Sequence, residues 1–305
     1  MKLEGIHHIT AITADAQDNI DFYAGVLGLR LVKKTVNQDD PSVYHLFFAD
    51  EQGRPGSDLT FFEFPGAPRG RAGIGMVHTI VRRVGSAAAL DFWADRLGAE
   101  GIAVERDGDV LRFADPEGLG HELGIDSGDD GPLVAEHPEI PAELALRGFE
   151  AVRAYAAAPE ASEDLLRALG FAGGDGSWEA RGSERGGWIH YDLPPEQRGL
   201  QGAGTVHHVA WASTPAEHES WREAVIGGGG RPTPVIDRFY FKSIYFREPS
   251  GVLFEIATLG PGFAVDEPPE HLGERLSLPP AFEHLRDRVE ASLKPVASPR
   301  QRAVR

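Results

Sequence analysis

Apolar and polar positions along this chain fall into one pattern that recurs four times at irregular spacing. Each unit opens with a short apolar run, continues with a segment of helical period, and closes with strand-like runs ending in a hairpin. The first unit starts at Gly5-Ile-His-His-Ile-Thr. Its helix follows Asp15, carries Ile20, Tyr23 and Leu27 on one face, and stops at Gly28. The second starts at Met76-Val-His78-Thr-Ile, with Ser86 as cap, Leu90, Trp93 and Leu97 on the helix face, and Gly98 as stop. The third starts at Phe149-Glu-Ala-Val-Arg-Ala. Its helix follows Pro159, carries Leu165, Leu166 and Leu169, and ends at Gly170. The fourth starts at Val206-His-His-Val-Ala. Thr214-Pro215 reads as a cap followed by proline at the first helical position, ahead of Trp221, Val225 and a glycine run at 227–230. Unit ends also match: Phe113-Ala-Asp-Pro-Glu-Gly-Leu-Gly-His-Glu122 lines up with Phe246-Arg-Glu-Pro-Ser-Gly-Val-Leu-Phe-Glu255. Both read strand, Pro-x-Gly turn, strand.

The stretch from Asp126 to Arg147 is polar, rich in Gly, Pro and acidic residues, and weak in strand signal. It divides the chain into a domain at 1–130, a linker at 131–147 and a second domain at 148–262. An extension at 263–305 follows, with a helix near Phe282 to Leu293 and a basic tail from Ser298 to Arg305. The fold class expected is α+β: four βαβββ modules paired into two domains with cupped mixed sheets.

The chain has 305 residues, 41% of them hydrophobic, enough for two ordinary cores. Lys and Arg total 30 against 47 Asp and Glu, a net charge of −17. Such a surface repels nucleic acid and anionic membrane. Without cysteine there is neither a disulfide framework nor a thiolate site. The N-terminus lacks a signal-peptide core, and no run approaches the roughly 18 apolar residues of a membrane span. A cytoplasmic protein is the expectation.

Two His-His pairs, His7-His8 and His207-His208, each sit near the head of an apolar strand, and Glu255 closes another. Two histidines and one carboxylate form the ligand set that holds iron(II) on one face and leaves other positions open. Neighbouring strand residues point to opposite faces, so one histidine of each pair faces inward unless a bulge intervenes. Unit two has a single histidine, His78, which aligns with His208 rather than His207. That selects His8, His208 and Glu255 as ligands. Parity puts Thr10 on the face of His8. Buried histidines bonded to backbone would be the plainer explanation for one such residue, but not for two pairs at equivalent repeat positions. His45, His121, His137 and His190 are lone histidines and are set aside as structural. The glycine run at 227–230 follows a helix rather than opening one, so it is no phosphate loop.

Four βαβββ units in two pairs resemble the vicinal oxygen chelate, or glyoxalase/extradiol dioxygenase, superfamily over roughly residues 4 to 260. The run from Asp237-Arg-Phe-Tyr-Phe-Lys through Glu255 is more specific and is similar to hydroquinone-type ring-cleaving dioxygenases. So are Pro41-Ser-Val-Tyr-His-Leu-Phe-Phe and Pro55-Gly-Ser-Asp-Leu-Thr-Phe-Phe. The resemblance implies a non-haem iron extradiol-type ring-cleaving dioxygenase acting on a small hydroquinone-like or related phenolic aromatic and O2. The metal implied is Fe(II), with Mn(II) or Zn(II) able to occupy the same site. It implies the same three ligands, and active-site roles for His7, Thr10, His207, Arg238 and Tyr245. His207 is the leading proton acceptor or else a partner of the ligand strand. Arg238 is a fixed cation, and Tyr245 a hydrogen-bond donor. Leu59-Thr-Phe-Phe-Glu63 aligns with Val252 to Glu255 when strand ends are matched. Glu63 as a fourth ligand would instead imply a glyoxalase-type lyase or isomerase. A metal-free protein that sequesters small aromatics is a third reading, and a homo-oligomer is compatible with any of them. Units one and four are expected to pair, as are two and three. The second pair would then offer His78 and Glu122 but Ala151 in place of the third ligand, so one metal per chain is expected.

Overall fold

The computed structural model describes residues 1–126 and 128–299. Most of the expected basic tail, residues 300–305, lies outside them. Module one comprises β1 (Ile6–Thr13), α1 (Ala16–Ile20, continued by a π-helical turn at Asp21–Val26), β2 (Arg30–Val36), β3 (Tyr44–Ala49) and β4 (Asp58–Glu63). Module two comprises β5 (Val77–Val84), α2 (Ala87–Ala99), β6 (Val104–Asp107), β7 (Val110–Ala114) and β8 (Gly120–Ile125). Module three comprises β9 (Phe149–Tyr155), α3 (Glu163–Ala168), β10 (Ala172–Gly174), β11 (Ser177–Arg181) and β12 (Gly186–Asp192). Module four comprises β13 (Thr205–Ser213), α4 (His218–Gly227), β14 (Ile236–Asp237), β15 (Lys242–Arg247) and β16 (Leu253–Thr258). A last helix, α5 (Arg286–Ser292), lies in the extension.

Local chemistry explains the repeat. Each first strand is entered through a glycine at positive φ: Gly5 (73°), Gly75 (74°), Gly148 (99°) and Gly204 (76°). Side chains rarely adopt that region. The Asp15 carboxylate accepts from the backbone N–H groups of Gln17 (2.8 Å) and Asp18 (3.0 Å), and Ser86 Oγ accepts from Ala89 N (3.2 Å). Thr214 differs from its expected role. Its hydroxyl donates to Glu217 instead, and a 3₁₀ turn at Pro215–Glu217 precedes α4. Pro159 likewise opens a 3₁₀ turn, Pro159–Ser162, ahead of α3.

The strands form two eight-stranded mixed sheets, ordered β14-β15-β16-β13-β1-β4-β3-β2 and β10-β11-β12-β9-β5-β8-β7-β6. Modules one and four share the first sheet, and modules two and three the second. The chain halves on either side of 131–147 thus each give one module to each sheet. Within a module the first strand runs parallel to the last, while antiparallel β1·β13 and β5·β9 join the modules. One apolar cluster spans both sheets, with Ile9, Phe61, Val209 and Trp211 from the first and Ile80, Leu123, Val152 and Ile189 from the second. After β16 the chain returns to module one and bridges at Leu276 to Lys34 of β2, an outer strand of the first sheet. Among the described residues no helix is long and apolar enough to cross a membrane.

Candidate metal centre

The antiparallel joint between β1 and β13 carries two β-bulges. Ile6 and His8 oppose Trp211 and Ala210, so His7 is the extra residue on β1; Thr10 and Ala11 oppose His208 and Val206, so His207 is the extra residue on β13. The bulges override simple alternation. Each pair's rings meet edge-on, with Nδ1 atoms 2.9 Å apart in His7–His8 and 2.8 Å apart in His207–His208. The second histidine of each pair points at the other across the joint, the Nε2 atoms of His8 and His208 lying 3.3 Å apart.

Glu255 completes the group. It sits on β16 beside Ala210, fully buried, with Oε2 2.9 Å from His208 Nε2 and 3.3 Å from His8 Nε2. Neither carboxylate oxygen accepts a well-aligned hydrogen bond. Burial opposes its charge, yet the facing imidazoles of His8 and His208 hold its carboxyl well below the usual range. The ring nitrogens can be assigned. The Thr258 carbonyl can only accept, so His7 donates to it from Nε2 (3.1 Å). Neutral His7 then accepts at Nδ1 and His8 donates from its own Nδ1, so His8 Nε2, whose proton Glu255 favours, is the atom a cation would take in that proton's place. His8, His208 and Glu255 offer donor atoms within 4.8 Å of one another. A buried carboxylate without well-aligned hydrogen bonds, converging with two imidazole nitrogens, fits a divalent cation.

A cavity open to solvent lies over this group. Module one lines it with Thr10, Thr35, His45, Phe47 and Phe62, and module four with Arg238, Tyr240, Phe241 and Tyr245. Phe241 packs against the rings of both His7 and His8, with centroids 5.2 and 5.0 Å away. Tyr245 meets His208 edge-on at 5.6 Å. The Arg238 guanidinium lies 5.5 Å from the Tyr245 ring centre and is held by Asp39 through two contacts of 3.1 Å. Burial pushes the Tyr245 phenol upward, and nearby Glu255 adds to the shift, so it stays a donor.

Not every expected residue shares this cavity. His7 stands behind His8 and borders a separate opening with Asp58 and Phe263. His207 borders a third, with Gln201 and Arg247. Burial and the neighbouring His208 lower the His207 ring to about 4, so it is neutral.

The register also corrects two alignments. In the second sheet Val77 and Thr79 oppose Ala154 and Arg153, so His78 is the bulged residue of β5. It corresponds to His7 and His207, not to His208, and Thr79 takes the ligand position. In module one, Thr10 pairs with Thr60, as Ala210 pairs with Glu255. The carboxylate position is therefore held by Thr60. Glu63 lies three residues on, beside Thr13, and accepts from Ala16 N (3.0 Å) at the start of α1. Matching strand ends misled because β4 runs further past the joint than the alignment assumed. Thr60 and His45, which the sequence reading did not select, form a chain in the cavity wall. Thr60 Oγ1 lies 2.9 Å from Thr10 Oγ1 and 2.9 Å from His45 Nε2.

Residues 5–123 and 75–256 match the model of the Glyoxalase/Bleomycin resistance protein/Dioxygenase superfamily. The chain belongs to this superfamily. It is 41% identical to MhqA of Bacillus subtilis (strain 168), provisionally named a ring-cleaving dioxygenase, over 97% of this chain and 100% of that protein. It is 34% identical to the chlorohydroquinone/hydroquinone 1,2-dioxygenase of Sphingobium indicum, over 94% of this chain and 95% of that one. The crystal structure of a provisional dioxygenase from Bacillus subtilis superposes with a TM-score of 0.90 at 40% identity, over 97% and 98% of the two chains. Glyoxalase I from Zea mays shares the fold at a TM-score of 0.56 and 15% identity, over 84% of this chain and 92% of that one. Within the superfamily, then, this chain carries a two-histidine, one-carboxylate group with threonine at the fourth ligand-type position.

Proposed function

We propose that the protein is an iron(II)-dependent dioxygenase that opens the ring of a hydroquinone-like phenol next to a hydroxyl. The observation that carries this reading is the convergence of His8, His208 and Glu255 with neutral Thr60, not a carboxylate, at the fourth position. Three protein ligands leave about three positions on a six-coordinate ion, room for a substrate oxygen and dioxygen together. Four would leave two. The names of the Bacillus and Sphingobium relatives support the same reaction and substrate class.

Iron(II), when bound, supplies Lewis acidity and a route for electron density between ring and oxygen. The chain's own residues have separable tasks. His7 fixes the tautomer and angle of His8, and His207 does the same for His208 through the Nδ1 contacts. His207 engages His208 through Nδ1 and borders a separate opening, so it acts on the ligand strand rather than on the substrate. Arg238, already oriented by Asp39, is a fixed cation that favours negative charge on the substrate oxygen. Tyr245 can donate a hydrogen bond beside His208, and Thr10 sits on the opposite wall. Phe47, Phe62 and Phe241 keep the ring in a mostly apolar space. Both atoms of O2 enter the ring-opened product, so no outside reductant is required.

The test is oxygen uptake and ring-opened product from iron-loaded protein with hydroquinone, under air and under argon. Oxygen-dependent turnover is expected. Equal turnover under argon would favour a glyoxalase-type lyase, and hydroquinone binding without any turnover a sequestering protein.

A further inference from the structure

Across the cavity from Arg238 and Tyr245 the wall is made by three adjacent strands, β1, β4 and β3. Thr10, Thr60 and His45 stand on them in order, linked by two contacts of 2.9 Å. The His45 ring is gripped by Phe47 and Phe62, with centroids 4.0 and 4.4 Å away. Only Nε2 is used, toward Thr60. No described hydrogen bond uses Nδ1, and the His45 side chain lines the cavity. β3 lies two strand spacings from β1, roughly 10 Å. His45 and the donors His8 and His208 line this one cavity.

We infer that His45 is a recognition residue whose free Nδ1 takes the hydroxyl remote from the metal, so that the cavity selects para-diols over monophenols. This rests on the proposed ring-cleaving reading and names its substrate feature. Burial, then the nearby His8, His208 and Arg238, hold His45 well below its ordinary value, so the ring is neutral. A neutral imidazole bonds a neutral hydroxyl. A neutral hydroxyl loses little water in reaching it, so one hydrogen bond is enough to favour its binding. Tight packing between two phenylalanines fixes the ring, so little freedom is lost on binding.

The experiment reads binding, not turnover. Affinities of hydroquinone and phenol are measured by calorimetry on zinc-loaded protein, for wild type, His45→Phe and His45→Asn. Phe keeps the ring and its packing, and Asn keeps a polar atom near the position of Nδ1. Wild type is expected to prefer hydroquinone by about tenfold, the scale of one added hydrogen bond. His45→Phe should abolish the preference with zinc content unchanged, and His45→Asn should restore part of it. Equal binding of both phenols by wild type, or a preference that survives in His45→Phe, would overturn the inference. If the preference behaves as expected but iron-loaded protein opens no ring, recognition by His45 stands and the dioxygenase reading falls.

Discussion

One buried charge helps to hold the C-terminal extension to module one, and its removal has a calculable cost. Lys33 on β2 is fully buried; its ammonium donates to Asp266 (2.6 Å) and contacts Glu267, while lying 5.1 Å from the Tyr240 ring centre. Glu267 is itself almost fully buried, and its other charged neighbours are Arg275, 3.8 Å away, and Lys34. Asp266 is partly open to water and also accepts from the Tyr240 hydroxyl (3.0 Å). In Lys33→Met, Asp266 can rehydrate but Glu267 cannot. Stranding one partner of a buried pair costs about 3–5 kcal/mol, whereas replacing both by apolar groups is close to neutral. The expected loss is therefore about 3 kcal/mol or more for Lys33→Met, and most of it should return in Lys33→Met with Glu267→Leu. Urea unfolding of metal-free protein, followed by tryptophan fluorescence, measures both. Tyr240 lines the cavity over the metal donors. The single variant should therefore also bind hydroquinone more weakly while keeping its metal. A single variant costing less than about 1 kcal/mol, or a double variant as unstable as the single, would refute the reasoning.

Replacing His8, His208 or Glu255 by alanine should abolish bound metal, read by elemental analysis, with circular dichroism unchanged; a variant that keeps full metal content does not carry a ligand. Wild type should bind one tight metal ion per chain, because Thr79 and Ala151 stand at the second sheet's equivalents of His8 and His208. Two tight ions would refute this. Glu63→Gln should leave metal content and oxygen uptake intact and cost about 1 kcal/mol through the weakened bond to Ala16 N.

Much of the fold was legible because its signals are local. Caps at Asp15 and Ser86, glycines ahead of each first strand and the Pro-x-Gly turns act within a few residues of themselves. The three converging residues were legible from repeat position, though part of the argument for them was not sound. His78 was matched to His208, and register makes it a counterpart of His207. Bulges depend on the partner strand, and a single strand's sequence does not announce them. His45 was missed for a related reason. Its place in the cavity follows from β3 lying beside β4, and only then do His45, Phe47 and Phe62 share a face.

The two sheets are copies of one scaffold, and comparing them shows what the scaffold contributes and what the side chains add. Each joint brings four positions together. In the first sheet they hold His8, Thr60, His208 and Glu255; in the second, Thr79, Glu122, Ala151 and His190. The second sheet thus keeps a carboxylate and an imidazole at ligand-type positions, yet each has found a partner of its own. Glu122 is bonded by Arg112 (2.9 Å), and His190 lies 3.0 Å from Ser177 Oγ. The bulged His78 is likewise engaged, by Asp192 (3.0 Å). Glu255 differs in having no such partner, while the histidines around it are turned inward by their own bulged neighbours. Convergence comes with the fold. The competence to hold a cation comes from leaving the converging donors otherwise unsatisfied, and that condition is met in the first sheet and absent in the second.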